Sequence, residues 1–279
     1  GPRSAIEERA RGEWRDEWRE ANRASWDERV PIHVSGEFYD VAAFREGQER
    51  LQPFEIDEVG DVRGKELLHL QCHFGIDTLS WARRGARVTG LDFSAPAVEA
   101  ARGLAAEMGL EATFVHSDVY EAVGATGGLT FDIVYTGRGA IIWLPDIGRW
   151  AEVVADLLMP GGFLYLTEFH PFTNVFGDED LSVKYDYFQD ENPRVWEEPG
   201  TYADFDAETS NNVTYEWNHT LGDVVSAVSA AGLNVELLHE YDYTTFPRGP
   251  ILEKSGFDTY RLPEGTPKIP LMYSLRARK

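Results

Sequence analysis

Cysteine is almost missing from this chain: Cys72 is the only one among 279 residues. One thiol excludes an internal disulfide and fits a reducing compartment, so a cytoplasmic location is expected. No apolar run approaches the roughly 18–20 residues that cross a bilayer, so no membrane span is expected. The N-terminus shows no apolar signal segment, and its "GPRS" reads as a cloning remnant. Positive charge is scarce: 26 Lys and Arg face 48 Asp and Glu, a formal net charge of -22. Such a surface repels phosphate backbones, so nucleic acid is not an expected partner, and the surplus mainly confers solubility. No internal repeat or low-complexity tract is present.

What is there suits one large α/β domain with appendages. Residues 5–29 are charged, proline-free and rich in helix formers, with Trp14, Trp18 and Trp26 on one helical face. A second helical stretch is expected near 40–52, closed by Pro53 and the acidic "EIDEVGDVRG". These make an N-terminal helical cap over 1–58. From 59 onward apolar strands ("KELLHLQ", "ARVTGLD", "EATFVHSD", "TFDIVYTG", "FLYLTEFH") alternate with helices. Among the helices, "SAPAVEAARGLAAEMG" is well signalled, with Ser94 to cap it, Pro96 in its first turn and Gly109 after its end. This alternation predicts right-handed βαβ units and a Rossmann-like, doubly wound parallel sheet. The helix "DIGRWAEVVADLLMPGG" is expected to end in its Pro-Gly-Gly. Residues 172–217 break the alternation and read as a lid or substrate wall, with "NNVTYEWNH" as a strand. A helix, "TLGDVVSAVSAAG", and two terminal strands come next. With no helix between them, those strands must be antiparallel partners or stand apart.

In such a sheet, ligands sit beyond the carboxyl ends of the strands. The first strand–turn–helix segment is "LQCHFGID", Leu70 to Asp77. Asp92 ends the second strand, where a carboxylate can accept from ribose hydroxyls, and Asp118 ends the third, where it can accept from an adenine amine. Metal and thiol chemistry compete for the same turn. His69, Gln71 and His73 share one strand face and Cys72 points to the other, so His69, Cys72 and His73 do not converge on one ion, and no metal is expected. A cysteine directly after an apolar strand is expected to be buried and inert.

Taken together, "LLHLQCHFG", "GLDFS", "SDVYE", "FDIVYTG" and above all "LLMPGGFLYLTE" resemble the class I S-adenosylmethionine-dependent methyltransferases over roughly residues 60–279. Within that family the chain looks most like bacterial small-molecule methyltransferases with an "LQCHFG" loop. The resemblance implies the sheet order 3-2-1-4-5-7-6 with the last strand antiparallel. It implies S-adenosyl-L-methionine as cofactor and S-adenosylhomocysteine as product. Cofactor contacts are implied for Gln71, His73 and Gly75 in the first turn, and for Asp92, Phe93 and Ser94 after the second strand. Further contacts are implied for Asp118, Val119, Thr136 and Gly137, with Tyr39 reaching in from the cap. One departure is plain: His69 stands for the family's acid, and Gln71 and His73 for its first two glycines. Such side chains are tolerable if the backbone there has ordinary dihedrals. Their presence argues against a dinucleotide, hence against an NAD-dependent dehydrogenase, more than against S-adenosylmethionine.

Methyl transfer needs alignment, exclusion of water and, for some acceptors, a base. Glu168 is the first candidate for that base, then His170 and His219. "YTGRGAIIW" replaces the Asn-Pro-Pro-Tyr signature of amino-group methylases, and Arg138 within it suits an anionic substrate group or a surface carboxylate. The aromatics of the cap and the lid suit a small, flat or hydrophobic acceptor. Two alternatives stand beside this reading: C-methylation of an isoprenoid with Glu168 as base, needing Mg2+ only if the acceptor is a diphosphate, and a non-catalytic S-adenosylmethionine-binding scaffold.

Overall fold

The computed structural model of the protein describes residues 16–190 and 192–279. Trp14 lies outside the described residues, so the tryptophan stripe is visible only at Trp18 and Trp26. The N-terminal part forms α1 (Asp16–Ser35), α2 (Val41–Arg45) and α3 (Pro53–Val59). The alternating part then runs β1 (Glu66–Leu70), α4 (Ile76–Arg83), β2 (Arg87–Asp92), α5 (Ala95–Met108), β3 (Ala112–His116), α6 (Ala122–Ala125), β4 (Phe131–Thr136), α7 (Ile147–Leu157) and β5 (Leu158–Phe169). Next come β6 (Arg194–Glu197), β7 (Val213–Glu216), α8 (Leu221–Ala230) and β8 (Asn234–Tyr241). The chain finishes with β9 (Tyr243–Thr244), β10 (Glu253–Gly256), β11 (Thr259–Arg261) and β12 (Met272–Arg278).

The main sheet has the order β3-β2-β1-β4-β5-β12-β8. Counted over its own strands this is 3-2-1-4-5-7-6, with β12 antiparallel to both β5 and β8. The local reasons are the expected ones. Ser94 Oγ accepts from Ala97 N at 3.3 Å to cap α5, and Gly109 ends the helix at φ 64°. The strands of the sheet centre are mostly apolar because helices cover both faces: Leu67, Leu68, Leu70 and Val134 are fully buried. Trp150 of α7 fills one side of the sheet, and Trp81, Tyr135 and Tyr165 fill the other.

Several elements differ from the sequence expectation. The first helix continues past Arg29 to Ser35, with Pro31 inside it. The helical stretch near 40–52 shrinks to α2, and Pro53 opens α3 rather than closing the region, with Glu55 accepting from Gln52 N at 2.9 Å. Proline lacks only the N–H that a first turn leaves unused. The Pro-Gly-Gly run lies within β5, not at a helix end, where the pairing with β4 shifts register between Phe131 and Ile133. A small sheet of order β10-β11-β9 stands between β8 and β12, unforeseen from the sequence.

The excursion 172–217 contains a β6–β7 hairpin, and α1 lies against it. Asn22 exchanges hydrogen bonds with the Tyr215 backbone, 2.9 Å to its carbonyl and 2.8 Å from its N–H. The buried Arg29 guanidinium donates to Gly200 O at 3.1 Å, Asn211 O at 2.9 Å, Glu198 O at 3.4 Å and Asn212 Oδ1 at 3.3 Å. A lysine cannot reproduce that planar fork. Arg29→Lys is therefore expected to lower stability by about 2 kcal/mol in urea denaturation and to speed proteolysis within 198–212. An unchanged midpoint and cleavage rate would contradict this docking.

Candidate active site

The site begins where β1 ends. Gln71 and His73 both have φ 54°, and Gly75 has φ 88°. This corrects the sequence expectation of ordinary dihedrals: two residues with side chains occupy left-handed positions, at about 1–2 kcal/mol each. Their partners hold them there. Gln71 Nε2 donates to Ala140 O at 2.9 Å, and His73 N donates to Asp92 Oδ2 at 2.9 Å. His73 Nε2 shares a proton with His33 Nδ1 of α1 at 2.8 Å. Burial, followed by the nearby Arg29 charge, pushes the His33 pKa down to about 4. Burial, followed by His33, pushes His73 well down too, so both rings are neutral. Gly75 has no such freedom to change: an added Cβ would sit 3.0 Å from Ala101 Cβ and from the Phe114 ring.

The turn also keeps apart the side chains that metal or thiol chemistry would need. His69 is buried, with Nδ1 2.8 Å from Thr78 Oγ1. Cys72 is buried beside Gly90 and Phe114, and burial, then Asp92, raises its thiol pKa well above the ordinary value. Among the described residues no group of three or more His, Cys, Asp or Glu is arranged to hold a metal ion, so the magnesium option gains no donor set.

A cavity of about 660 Å³ opens at the carboxyl ends of β1, β2 and β4. Of the residues expected at the cofactor, Tyr39, Gln71, His73, Gly75, Asp92, Phe93 and Gly137 line it. Ser94, Asp118, Val119 and Thr136 do not. Ser94 caps α5. Asp118 accepts from Tyr120 N at 2.8 Å and lies 3.9 Å from Arg19 of α1, which covers that place. Val119 belongs to the core, and Thr136 is fully buried. Tyr39 is hydrogen-bonded to Tyr202 of the excursion, so cap and lid meet over the turn.

None of the three expected bases lines the cavity. The Glu168 carboxylate accepts from the backbone N–H groups of Gly139, Ala140, Ile141 and Phe169, the last three at 3.1, 3.2 and 3.0 Å. It holds the loop after β4, although burial lifts its pKa to about 7 against those amides. The isoprenoid alternative relied on this same carboxylate. His170 pairs with Glu240 at 2.7 Å and accepts from Phe172 N at 3.2 Å. His219 donates to Leu144 O. Each of these groups is spent on structure.

Other charged groups do reach the cavity. Asp77, in the first turn of α4, has a pKa lifted to about 6 by burial, with Arg138 opposing. Arg138 donates to Glu55 at 3.0 Å and Arg50 lies 3.6 Å from Asp258. Glu216, at the end of β7, and Arg248 also line the cavity. Of these, only Arg138 stood out in the sequence. Asp77 sits two positions after Gly75, a usable signal, whereas nothing local marks Arg50, Glu216 or Arg248.

The donor set fits S-adenosylmethionine. Gln71 Oε1 is a buried acceptor without a partner and belongs to a cavity-lining residue, which suits an ammonium. Asp77 suits the same group, and Arg50 and Arg138 suit a carboxylate. Asp92 still has lone pairs for hydroxyls beyond those used by Ser94 N and His73 N, both at 2.9 Å.

Buried carboxyls govern the pH response. Burial first, against nearby donors and cations, lifts Asp77 and Asp92 to about 6 and Glu168 and Glu216 to about 7. Each binds its proton more tightly folded than unfolded. Its contribution to stability is complete below about pH 4 and is lost as pH rises through 6 to 7. Glu28 behaves oppositely, held down at about 2 by the Ser210 and Asn211 donors against burial, but acts only below about pH 4. The buried histidines His33, His69, His73, His170 and His219, pushed down chiefly by burial, act in the opposite sense and oppose the carboxyls below about pH 6.5. Above that pH the carboxyls act alone, and the thermal midpoint is expected to fall by about 2 °C between pH 6.5 and pH 8 in scanning calorimetry. A level or rising midpoint would contradict these shifts.

Comparisons with known proteins agree with this architecture. The methyltransferase-domain family matches residues 67–162. The ubiquinone biosynthesis O-methyltransferase of Cronobacter sakazakii is 30% identical over 138 residues, 48% of this chain and 56% of that protein. The Vibrio cholerae protein of the same name is 33% identical over 114 residues, 41% of this chain and 46% of that one. The chain thus spans about half the length of the curated relatives it matches. Among solved structures, an S-adenosylmethionine-dependent methyltransferase from Mesorhizobium loti superposes with a TM-score of 0.57 at 19% identity, covering 84% of this chain and all of that one. One from Methanosarcina mazei gives 0.54 at 17% identity, covering 82% of this chain and 98% of that one. Residues 67–162 thus match the methyltransferase-domain family, and the chain shares its fold with these S-adenosylmethionine-dependent methyltransferases.

Proposed function

We propose that the protein is an S-adenosylmethionine-dependent methyltransferase acting on a small, flat or hydrophobic acceptor. The observation that carries this is the cavity at the carboxyl ends of β1, β2 and β4, where the 71–75 turn and Asp92 meet. The bound sulfonium supplies an already activated methyl group. The chain's own work is to bind, orient and keep water out. Asp92 accepts from ribose hydroxyls. Gln71 and Asp77 receive the ammonium, and Arg50 and Arg138 the carboxylate. Glu168 fixes the loop that carries Gly139 and Ala140. Trp143, Phe169, Phe176 and Phe246 wall the rest of the cavity and favour an apolar acceptor body. The names of the curated relatives favour a hydroxyl as acceptor. A single buried cysteine and the acidic surface suit the cytoplasm and argue against a nucleic-acid substrate.

S-adenosylhomocysteine is expected to bind in isothermal titration, and Asp92→Ala to weaken it about ten-fold or more, the loss of hydrogen bonds to a charged acceptor. No binding to the unaltered protein would remove the methyltransferase reading.

Glu168 provides a second test. Glu168→Gln turns an N–H2 group toward amide donors. It is expected to lower stability by about 2 kcal/mol in denaturant and to weaken S-adenosylhomocysteine as well. A base acting on the acceptor alone would leave both unchanged and slow only turnover.

A further inference from the structure

Glu216 is a titratable group that the fold brings to the cavity with one of its oxygens left unbonded. Trp217 N donates to Ile142 O at 2.8 Å, so the end of β7 lies against the loop that follows β4. One oxygen of Glu216 is fixed: Oε2 accepts from Trp196 Nε1, across the β6–β7 hairpin, at 3.1 Å. Its Oε1 has no hydrogen-bond partner among the described residues. Arg248 lies nearby but is held elsewhere, 2.7 Å from Asn174 Oδ1 and 3.4 Å from Asp178. Arg194 is likewise turned to the Asn174 carbonyl at 2.9 Å. Of the other carboxylates that line the cavity, Asp77 stands near Arg138 beside the turn, where the proposed function seats the cofactor's ammonium, Asp92 holds the turn, Asp180 accepts from Ser182 and Asp258 lies 3.6 Å from Arg50.

We infer that Glu216 is the acceptor-binding residue of the cavity and the base for a phenolic hydroxyl lodged among Phe169, Phe176, Phe246 and Trp143. This assignment rests on the methyltransferase reading and deepens it. In the step it describes, a hydroxyl oxygen forms the new bond to the methyl carbon and its proton passes to Glu216 Oε1. The carbon–sulfur bond breaks with its electron pair staying on sulfur, leaving a neutral thioether. The sulfonium charge and the carboxylate charge disappear together, and Glu216 later returns its proton to water. Burial, opposed by Arg248, Trp196 and Arg194, lifts the Glu216 pKa to about 7, so the group can both take up and release a proton near neutrality. The flat apolar walls and the unbonded Glu216 Oε1 fit an aromatic ring bearing a hydroxyl. A methylated oxygen would offer Glu216 only lone pairs.

The test uses protein saturated with S-adenosylhomocysteine and two probes, catechol and its dimethyl ether, veratrole, titrated calorimetrically. Catechol is expected to bind about ten-fold or more tightly than veratrole, the worth of a hydrogen bond to a carboxylate. Glu216→Gln is expected to abolish that preference while S-adenosylhomocysteine affinity stays unchanged. Trp196→Phe keeps an aromatic six-membered ring and removes the N–H together with the five-membered ring that bears it, and is expected to lose about three- to five-fold of the preference. It serves as the independent arm if Glu216→Gln folds poorly. Equal or absent binding of the two probes by the unaltered protein, or a preference that survives both substitutions, overturns the assignment. Failure of S-adenosylhomocysteine to bind overturns instead the reading beneath it.

Discussion

A left-handed turn built without glycine sets the terms for the rest of this structure. Gln71 and His73 hold φ 54° with side chains attached, so the backbone stores strain that neighbours must offset. The bonds that do so run in three directions. Gln71 reaches the loop after β4, His73 N reaches the end of β2, and the His73 ring reaches α1. The turn is therefore the hub that fixes the mutual position of the cavity walls. A glycine turn would present the same backbone with less cost and would keep only the backbone bond to Asp92.

The attachment to α1 has a further consequence. His33 and Arg29 lie on the same helix, and Arg29 gathers carbonyls from 198, 200 and 211 of the excursion. The turn, the helix and the excursion are thus linked by hydrogen bonds through α1. On the opposite side, Glu168 gathers the amides of 139–141. A buried carboxylate is costly unless its lone pairs are used, and here backbone donors use them. That is why a residue well placed for proton transfer by strand position works as an anchor.

The alternating core was legible because period, caps and glycines agree in each of its elements; Ser94, Pro96 and Gly109 around α5 are the clearest case. The N-terminal part was less so. Pro31 reads as a stop, yet proline removes only one helix hydrogen bond, and the contacts of Val30 and His33 with the body of the protein outweigh it. The β9–β11 sheet left no trace because β10 is exposed throughout and shows no alternation to read. At the site, Asp92 was legible from its place at a strand end. Glu168 occupies an equally telling place, but its donors come from residues 28 and 29 positions away along the chain. Only tertiary structure reveals that those amides have consumed it.

Glu216 was illegible for a related reason. Alternation along "VTYEWNH" says that Tyr215 and Trp217 share a face opposite Glu216, but not which face meets the cavity. The answer depends on Trp217 N closing on Ile142 O, 75 residues away in sequence by the spacing of their numbers. Once that bond is made, the cavity acquires a polarity. Asp77 and Arg138 lie by the turn, while the hairpin brings Glu216, near Arg248, to the cavity lining. On the proposed reading, the charged cofactor tail lies at the turn and the acceptor's hydroxyl toward β7. The side chains that replace glycine at the turn and the carboxylate that ends β7 are in this sense parts of one device: the first pin the cavity's shape, and the second gives it a direction.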